Sequence, residues 1–263
     1  MRFSKWHALG NTYLLVEPAD GPVTSAVARA LCDPTGGLEA DGVVEVVRAD
    51  VELAAIVIWN PDGSAAEMSG NGARIAARWL ADRAGAREVS IDTGTRLVRA
   101  RMLADGLVET DLGGVEVAPE EMLAVGGETV AVTSVSVGNP HAVVRVDDLD
   151  TQRLRRLGPA LETHERFPER TNVQLVRVDG PHDVSARVWE RGVGETTASG
   201  SSAAAIAAVA VARGWCESPV TVHFPGGSLV VYLAEGRAVL VGPAVHVSTG
   251  EYEPPPDHSV DGS

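Results

Sequence analysis

The chain repeats one short pattern at an offset of half its length. Ser69-Gly70 and Ser199-Gly200, 130 positions apart, each precede an alanine-rich segment, and alanine has the highest helix propensity. Gly10-Asn11 and Gly138-Asn139, 128 positions apart, each follow an alternating, strand-like run. Because the chain has 263 residues, these offsets indicate an internal duplication into two similarly built halves.

The two alanine-rich segments are predicted helices in a chain that is otherwise rich in strand-like runs. They cover about 71–83 and 201–213, with Gly85 and Gly214 at positions typical of helix ends. The second is apolar on nearly all sides, which predicts a buried helix. The strand-like runs include Val43–Val47, Leu53–Ile58, Leu97–Met102, Val130–Val137, Val143–Val146, Val173–Val178, Val184–Val188, Val220–Phe224 and Leu229–Leu233. The expected fold class is α+β, with two pseudo-symmetric strand-rich halves that each wrap one central helix.

The duplication also sets the expected domain division. Gly113-Gly114 marks the boundary, so that residues 1–113 form one half together with the C-terminal segment from about 245 to 263. Residues 114–244 form the other half. The proline-rich tail from Pro254 is expected to be poorly ordered.

Charge and hydropathy exclude several classes of function. A formal net charge of −14 argues against nucleic acid or an anionic membrane surface as the partner, because both bind clustered Lys and Arg. No apolar run reaches the ~18 residues that a membrane-spanning helix needs. The N-terminal sequence has no apolar signal-peptide stretch, so a cytoplasmic location is expected.

Three residue types limit the cofactors that this chain can use. Cys32 and Cys216 are too few for a disulfide framework or a structural zinc site, and the seven histidines lack metal-binding spacing, so no metal is expected. The single lysine, Lys5, lies outside the glycine-rich segments, whereas a pyridoxal enzyme holds its cofactor as a Schiff base to a lysine. We therefore expect no cofactor.

The first candidate motif runs from Asn60 to Gly72. Gly70 and Gly72 free the backbone near a helix start, where unpaired N–H groups and the helix dipole attract an anion such as an α-carboxylate. The alternative is that Ser69 merely caps the helix.

The second candidate motif runs from Glu190 to Ser201. Arg191 could bind a carboxylate with two hydrogen bonds, and Glu190 could accept an ammonium group or move protons. The alternative is a surface turn with a solvated ion pair. Both motifs contain a GxGxx run, but neither opens a strand–turn–helix unit with a following acidic residue, so dinucleotide binding is a weak hypothesis.

The third candidate motif is Gly138-Asn-Pro-His141. Asn-Pro favours a turn, and His141 follows it directly as a candidate for proton handling. The alternative for a single histidine is a structural role.

In combination these motifs resemble the diaminopimelate epimerase family. The segments that carry the resemblance are Gly10-Asn11, Glu39-Ala-Asp-Gly42, Asn60 to Arg74 (NPDGSAAEMSGNGAR), Gly138 to His141, Thr171-Asn-Val173 and Glu190 to Gly200 (ERGVGETTASG). They span nearly the whole chain in order. Glu39 departs from the family's GADG segment.

The resemblance implies a cofactor-independent epimerase that converts LL- to meso-diaminopimelate, for lysine and peptidoglycan precursor synthesis, as a homodimer. One acid/base position from each half, Ser69 and Ser199, would flank the substrate's α-carbon, with His141 and Glu190 tuning them. The residues implied to bind the small-molecule substrate are Asn11, Asn60, Gly70, Asn71, Asn139, Asn172, Arg191, Gly200 and Ser201.

Serine at 69 and 199 departs from the family, which has cysteine at both positions. A free thiol has a pKa of about 8.5, and a serine hydroxyl is far less acidic, so we expect damaged proton transfer with intact binding. Cys32 and Cys216 lie outside the motifs, so neither is expected to be catalytic. Four interpretations stay open: engineered substitutions that trap a substrate complex, a natural epimerase with an activated serine, a repurposed lyase or isomerase acting on a diaminopimelate-like amino acid, and a catalytically silent binding protein.

Overall fold

A computed structural model describes residues 1–66 and 69–253 of the chain. It divides into two compact units. The first consists of residues 1–110 and the segment from Pro243, and the second of residues 111–242. The predicted division placed these borders at 113/114 and about 244/245. The tail that was expected to be poorly ordered, from Pro254, lies outside the described residues.

The first unit contains two helices and its strands follow the chain in order. Its elements are β1 (Arg2–Ala8), β2 (Asn11–Val16), α1 (Ser25–Cys32), β3 (Gly42–Ala49), β4 (Leu53–Trp59), α2 (Gly70–Ala84), β5 (Glu88–Asp92), β6 (Leu97–Met102) and β7 (Leu107–Gly114), which continues past Thr110. Short 3₁₀ helices cover Pro18–Asp20 and Ala104–Gly106.

The second unit repeats this plan. Its elements are β8 (Glu116–Val125), β9 (Glu128–Ser136), β10 (Pro140–Arg145), α3 (Thr151–Glu162), β11 (Asn172–Val178), β12 (Asp183–Glu190), β13 (Gly194–Thr196), α4 (Gly200–Ala212), β14 (Val220–Phe224), β15 (Gly227–Ala234) and β16 (Arg237–Pro243). The chain then returns to the first unit as β17 (Val245–Glu251), which pairs with β1.

The two units have the same strand pairing. In the first, the order is β17-β1-β2-β3-β4-β5-β6-β7, parallel at β2/β3 and β4/β5 and antiparallel elsewhere. In the second, the order is β8-β9-β10-β11-β12-β14-β15-β16, parallel at β10/β11 and β12/β14 and antiparallel elsewhere. Corresponding helices occupy corresponding crossovers. The predicted α+β fold class is confirmed, and the shared topology supports the internal duplication.

The central helices of the two units are α2 and α4, and each begins and ends within one residue of its predicted bounds. Gly85 ends α2 in the left-handed conformation at φ 64°, which favours glycine. In α4 every residue from Gly200 to Ala210 is buried, as the apolar composition predicts. None of the described helices is long and apolar enough to cross a membrane.

The sequence analysis did not predict α1, α3 or β8. Parallel neighbours need a long crossover, and α1 and α3 lie in the crossovers of the parallel pairs β2/β3 and β10/β11. In β8 the register shifts between Val117 and Glu120, around Pro119, which cannot donate a ladder hydrogen bond. These elements depend on tertiary pairing more than on local apolar pattern.

Candidate active site

The α2 N-terminus in the first unit carries Ser69 as its N-cap. Its backbone is extended (φ −132°, ψ 117°), and Oγ accepts a hydrogen bond from the Gly72 amide at 3.0 Å. The capping alternative is therefore observed. The same Oγ also lies 2.9 Å from the hydroxyl oxygen of Tyr13. A Cβ at Gly72 would come within 2.9 Å of Ile58 Cδ1, so glycine permits this close approach.

The α2 first turn is anchored by two buried polar side chains. Asn71 Oδ1 accepts a hydrogen bond from Arg74 Nη2 at 2.9 Å. Arg74 Nε donates to the Pro243 carbonyl at 3.0 Å, and burial lowers the pKa of Arg74 to about 10. Gly70, the first residue of the helix, is buried. Its amide belongs to the first four helical N–H groups, which have no partner within a helix.

The two remaining asparagines predicted in the first unit lie in turns. Asn11 opens β2 directly after Leu9 and Gly10, whose positive φ angles of 54° and 85° form a tight hairpin turn. Asn60 follows β4, and its Nδ2 donates to Ser64 Oγ at 3.0 Å. Both asparagines are half-buried.

The α4 N-terminus in the second unit differs from that of α2. Ser199 is again the N-cap, but its side chain caps no backbone N–H group. It is 4% exposed, and its Oγ lies 3.5 Å from Ser201 Oγ, longer than an ordinary O–H···O hydrogen bond. Gly200 and Ser201 form the buried start of the helix. Ser199 thus has no close hydrogen-bond partner for its hydroxyl among the described residues.

His141 is fully engaged inside the second unit. Its Nε2 lies 3.0 Å from Asn139 Oδ1, and its Nδ1 lies 2.9 Å from Gln174 Nε2, which also donates to Ser202 Oγ at 3.0 Å. Since Oδ1 accepts and the Gln174 amide nitrogen donates, the ring is the neutral Nε2–H tautomer. Burial, and next the charge of Arg191, lower the pKa of His141 to about 3. This geometry suits a histidine that orients Asn139.

Three motifs of the second unit meet at the ends of β10, β11 and β12. Asn172 is buried, donates from Nδ2 to the Pro140 carbonyl at 3.1 Å and accepts the Arg191 amide at Oδ1, at 3.0 Å. His141 pairs with Asn172 in the parallel register of β10 and β11. The GNPH, TNV and ERG segments, far apart in sequence, are therefore joined by hydrogen bonds.

Glu190 ends β12, Arg191 follows it directly, and both residues are half-buried. Glu190 Oε1 accepts a hydrogen bond from Thr196 Oγ1 at 2.6 Å, and Arg191 Nη1 donates to the Glu169 carbonyl at 3.1 Å. Both charged side chains are thus held by neighbouring groups, which the alternative of a solvated surface turn does not describe.

Sequence analysis missed three polar residues next to the predicted ones. Tyr13 follows Asn11 at the two-residue spacing that places side chains on one face of a strand, and Gln174 follows Asn172 in the same way. That spacing could have found both. Arg74 is the last residue of the segment from Asn60 to Arg74. No feature of the sequence predicts that it is buried without a carboxylate partner among the described residues.

The two cysteines lie away from these motifs. Cys32 ends α1 and is buried; burial first, and next the charge of Asp41, raise the pKa of its thiol to about 11. Burial also raises the pKa of Cys216, whose Sγ lies 3.4 Å from the Gly180 carbonyl. A raised pKa reduces the thiolate fraction, so neither thiol suits proton transfer at neutral pH. The single lysine, Lys5, donates to the Leu38 carbonyl at 2.8 Å.

The different capping of the two serines predicts different effects on stability. Ser69→Ala removes the cap of α2 and should lower the free energy of unfolding by about 1 kcal/mol. Ser199→Ala removes a hydroxyl that caps nothing, and we expect a change within about 0.5 kcal/mol. Urea denaturation measures the free energy of unfolding of both variants and the wild type, and each variant serves as the control for the other. Equal losses would contradict the observed difference in capping.

The buried state of His141 predicts a pH-dependent stability. Its pKa is lowered in the folded protein to about 3, so between there and its ordinary value of about 6.5 only the unfolded chain takes up the proton. The stabilising contribution of neutral His141 is fully present above about pH 6.5. It is lost as the pH falls toward 3, with a limiting slope of about 1.4 kcal/mol per pH unit. The difference in unfolding free energy between the wild type and His141→Gln, measured at about pH 4 and 6, isolates this contribution. Parallel pH profiles would contradict it.

Comparison with known proteins places these motifs in one family. The family model described as diaminopimelate epimerase matches residues 3–117 and 133–251. A diaminopimelate epimerase from Alkalilimnicola ehrlichii is 40% identical over 273 residues, covering 95% of this chain and 98% of its own. One from Pelotomaculum thermopropionicum is 37% identical over 279 residues, covering 96% of this chain and 99% of its own.

A solved structure supports the fold. A probable proline racemase from Agrobacterium radiobacter, with bound carbonate, superposes with a TM-score of 0.77 at 16% identity, covering 98% of this chain and 94% of that one. At that identity the likeness concerns the fold alone. The family match and the relatives, in contrast, extend over nearly the whole chain, including the Ser69 and Ser199 segments and the joined motifs of the second unit. The chain belongs to the diaminopimelate epimerase family.

Proposed function

We propose that the chain is a cofactor-independent amino-acid epimerase that interconverts LL- and meso-diaminopimelate. The observation that carries the proposal is that hydrogen bonds join three motif segments in a chain of this family. His141 bonds to Asn139, and Asn172 bonds to the Pro140 carbonyl and to the Arg191 amide. These are the residue types that a substrate with a distal amino-acid group requires: amides for hydrogen bonds and a guanidinium for a carboxylate.

Proton transfer is assigned to Ser69 and Ser199, one position in each unit. Each is the N-cap of its unit's central helix, where backbone N–H groups favour negative charge on an α-carboxylate and on the carbanion formed from it. The proposed donors are the amides of Gly70, Asn71, Gly200 and Ser201.

The remaining residues bind and position. Asn11, Asn60, Asn139, Asn172 and Arg191 are assigned to the substrate's amino-acid groups. His141, with both ring nitrogens engaged, positions Asn139. Glu190, held by Thr196, is the carboxylate placed beside Arg191 and the candidate for an ammonium group.

Serine makes this a slow epimerase. A thiol with a pKa of about 8.5 supplies a useful thiolate fraction at neutral pH, whereas an unassisted serine hydroxyl is almost never ionised. Binding depends on other side chains and on backbone N–H groups, so affinity for diaminopimelate is retained while the proton-transfer rate is reduced.

A second candidate function is a lyase or isomerase that acts on a diaminopimelate-like amino acid with one base. The difference between the two serines favours it. Ser69 lies within hydrogen-bond distance of a phenol, whereas the one partner of the Ser199 hydroxyl among the described residues is a hydroxyl at 3.5 Å. A base on one face suffices for elimination or a double-bond shift, whereas inversion needs proton transfer on both faces.

Location and assembly belong to the same proposal. The resemblance to the family supports a homodimer, and the biosynthetic role that it implies supports the cytoplasm. The net charge of −14 supports a small-molecule partner over nucleic acid. Light scattering of the purified chain tests the dimer.

Chiral separation of the diaminopimelate isomers tests the function. Without added pyridoxal, we expect LL-diaminopimelate to be converted slowly to the meso isomer and the meso isomer to be converted slowly to LL. The rate should be unaffected by iodoacetamide, because both thiols are buried and lie away from the motifs. A Cys32→Ser plus Cys216→Ser variant is the matched control. Inactivation by alkylation that this variant escapes would assign the chemistry to a cysteine and overturn the serine assignment.

A further inference from the structure

The Ser69 hydroxyl has an ionisable partner. Its Oγ accepts the Gly72 amide at 3.0 Å and lies 2.9 Å from the Tyr13 hydroxyl oxygen. A phenol ionises near pH 10 in water, far more readily than an aliphatic alcohol. Tyr13 therefore offers the Ser69 hydroxyl a group that can hold or release a proton.

Strand pairing fixes the position of the Tyr13 ring. Tyr13 in β2 lies opposite Gly42 in the parallel register with β3. A Cβ at residue 42 would lie 2.7 Å from Tyr13 Cε1 and 2.8 Å from the Trp59 carbonyl oxygen. Glycine at 42 thus makes room for the ring, which is half-buried against the core of the first unit. The EADG segment, whose last residue is Gly42, has a structural part in placing the phenol.

A buried cation interacts electrostatically with this phenol. Arg74 is fully buried, donates only to neutral oxygens, and its Nη1 has no hydrogen-bond partner among the described residues. A negative charge on Tyr13 raises the pKa of Arg74, which burial lowers. A nearby opposite charge favours the ionised form of a titratable group, so a guanidinium that interacts with Tyr13 favours its phenolate form.

We infer that Tyr13 is the proton relay of Ser69, with Arg74 as its counter-charge; this inference rests on the proposed function. When Ser69 Oγ takes the substrate's α-proton, the Cα–H bond breaks and its electron pair stays on the α-carbon. The hydroxyl proton of Ser69 passes at the same time to the Tyr13 phenolate. Ser69 ends as a neutral hydroxyl and Tyr13 as a neutral phenol, and the reverse step returns a proton to the carbanion. Tyr13 acts through Ser69, so it is a positioning residue.

The second unit has no equivalent relay at Ser199 among the described residues. Among those residues, the partner of Ser199 Oγ is another hydroxyl, Ser201 Oγ, at 3.5 Å. The two proton-transfer positions are therefore unequal, and the relay makes α-hydrogen exchange faster on the Ser69 face.

A double-variant comparison separates a relay from a structural role. Tyr13→Phe keeps the ring against Gly42 and removes the hydroxyl, so we expect α-deuterium exchange into diaminopimelate to fall by about 10²-fold with KM changed by less than about twofold. In the Ser69→Cys background the same change should have little effect, since a thiol ionises without a relay. An equal loss in both backgrounds would show that the hydroxyl is structural and would overturn the inference.

Titration of the phenol provides a test that does not need turnover. The chain has three tyrosines, and ultraviolet difference absorbance of the free protein follows their phenolates. We expect one tyrosine to form phenolate at lower pH than the other two, and this component to be absent in Tyr13→Phe. If it is present but no variant exchanges the α-hydrogen, the proposed function fails and the ionised phenol stands. If all three titrate together, the relay fails whatever the activity.

Discussion

Exchange of Ser69 and Ser199 together for cysteine is expected to raise the rate of diaminopimelate epimerisation by about 10²-fold or more, because positioned acid/base groups contribute about 10²–10⁴-fold. Both residues are N-caps of a central helix, where the dipole stabilises a thiolate. Chiral separation of the isomers measures the rate. Binding should change little, since the backbone N–H groups stay in place.

The gain should depend on position. Ser228→Cys introduces a thiol at an exposed serine that contacts His223, and we expect it to leave the rate unchanged. The double variant should also become sensitive to iodoacetamide through the half-buried position 69, unlike the wild type, whose two thiols are buried. A double variant that binds diaminopimelate and exchanges no α-hydrogen would show that these two positions are not the proton-transfer positions.

Replacement of Arg191 by methionine is expected to weaken diaminopimelate binding by about 10- to 100-fold. A hydrogen bond to a charged group contributes about 1.5–3 kcal/mol, and each 1.4 kcal/mol is a factor of about ten in affinity. The fold should tolerate the change, because the hydrogen bond to Asn172 comes from the Arg191 backbone amide. Isothermal titration calorimetry of the folded variant measures the loss.

Two comparisons make this test specific. Arg166→Met removes an exposed arginine that pairs with Glu121 and should bind diaminopimelate as the wild type does. Lysine, which lacks the distal carboxylate, should bind wild type and Arg191→Met with similar affinity. An unchanged affinity of Arg191→Met for diaminopimelate would remove Arg191 from the substrate site.

Local sequence predicts the features that depend on neighbouring residues in the chain. Alanine content and the serine and glycine at the helix ends place α2 and α4 within one residue of their observed bounds. Apolar runs likewise predict many of the strands, because a run is a pattern of neighbouring residues. In contrast, α1 and α3 follow from the need to cross between parallel strands, and β8 includes Pro119 at a register shift.

The sequence predicts candidate site residues, but it does not predict how their side chains are hydrogen-bonded. Its position after Asn-Pro makes His141 a candidate for proton handling, but only the structure shows both its ring nitrogens engaged by Asn139 and Gln174. The same limit applies to the two serines. They look equivalent in sequence, and the sequence does not show that the hydroxyl of Tyr13, 56 residues away, lies 2.9 Å from Ser69 Oγ.

The most direct measurement of the central claim is α-hydrogen exchange by the wild-type chain in deuterated water, followed by NMR with LL- and meso-diaminopimelate and no added cofactor. We predict slow deuterium incorporation at the α-carbon together with the appearance of the other isomer. The absence of deuterium, under conditions in which calorimetry shows diaminopimelate to be bound, would contradict an epimerase that works with serine at both positions.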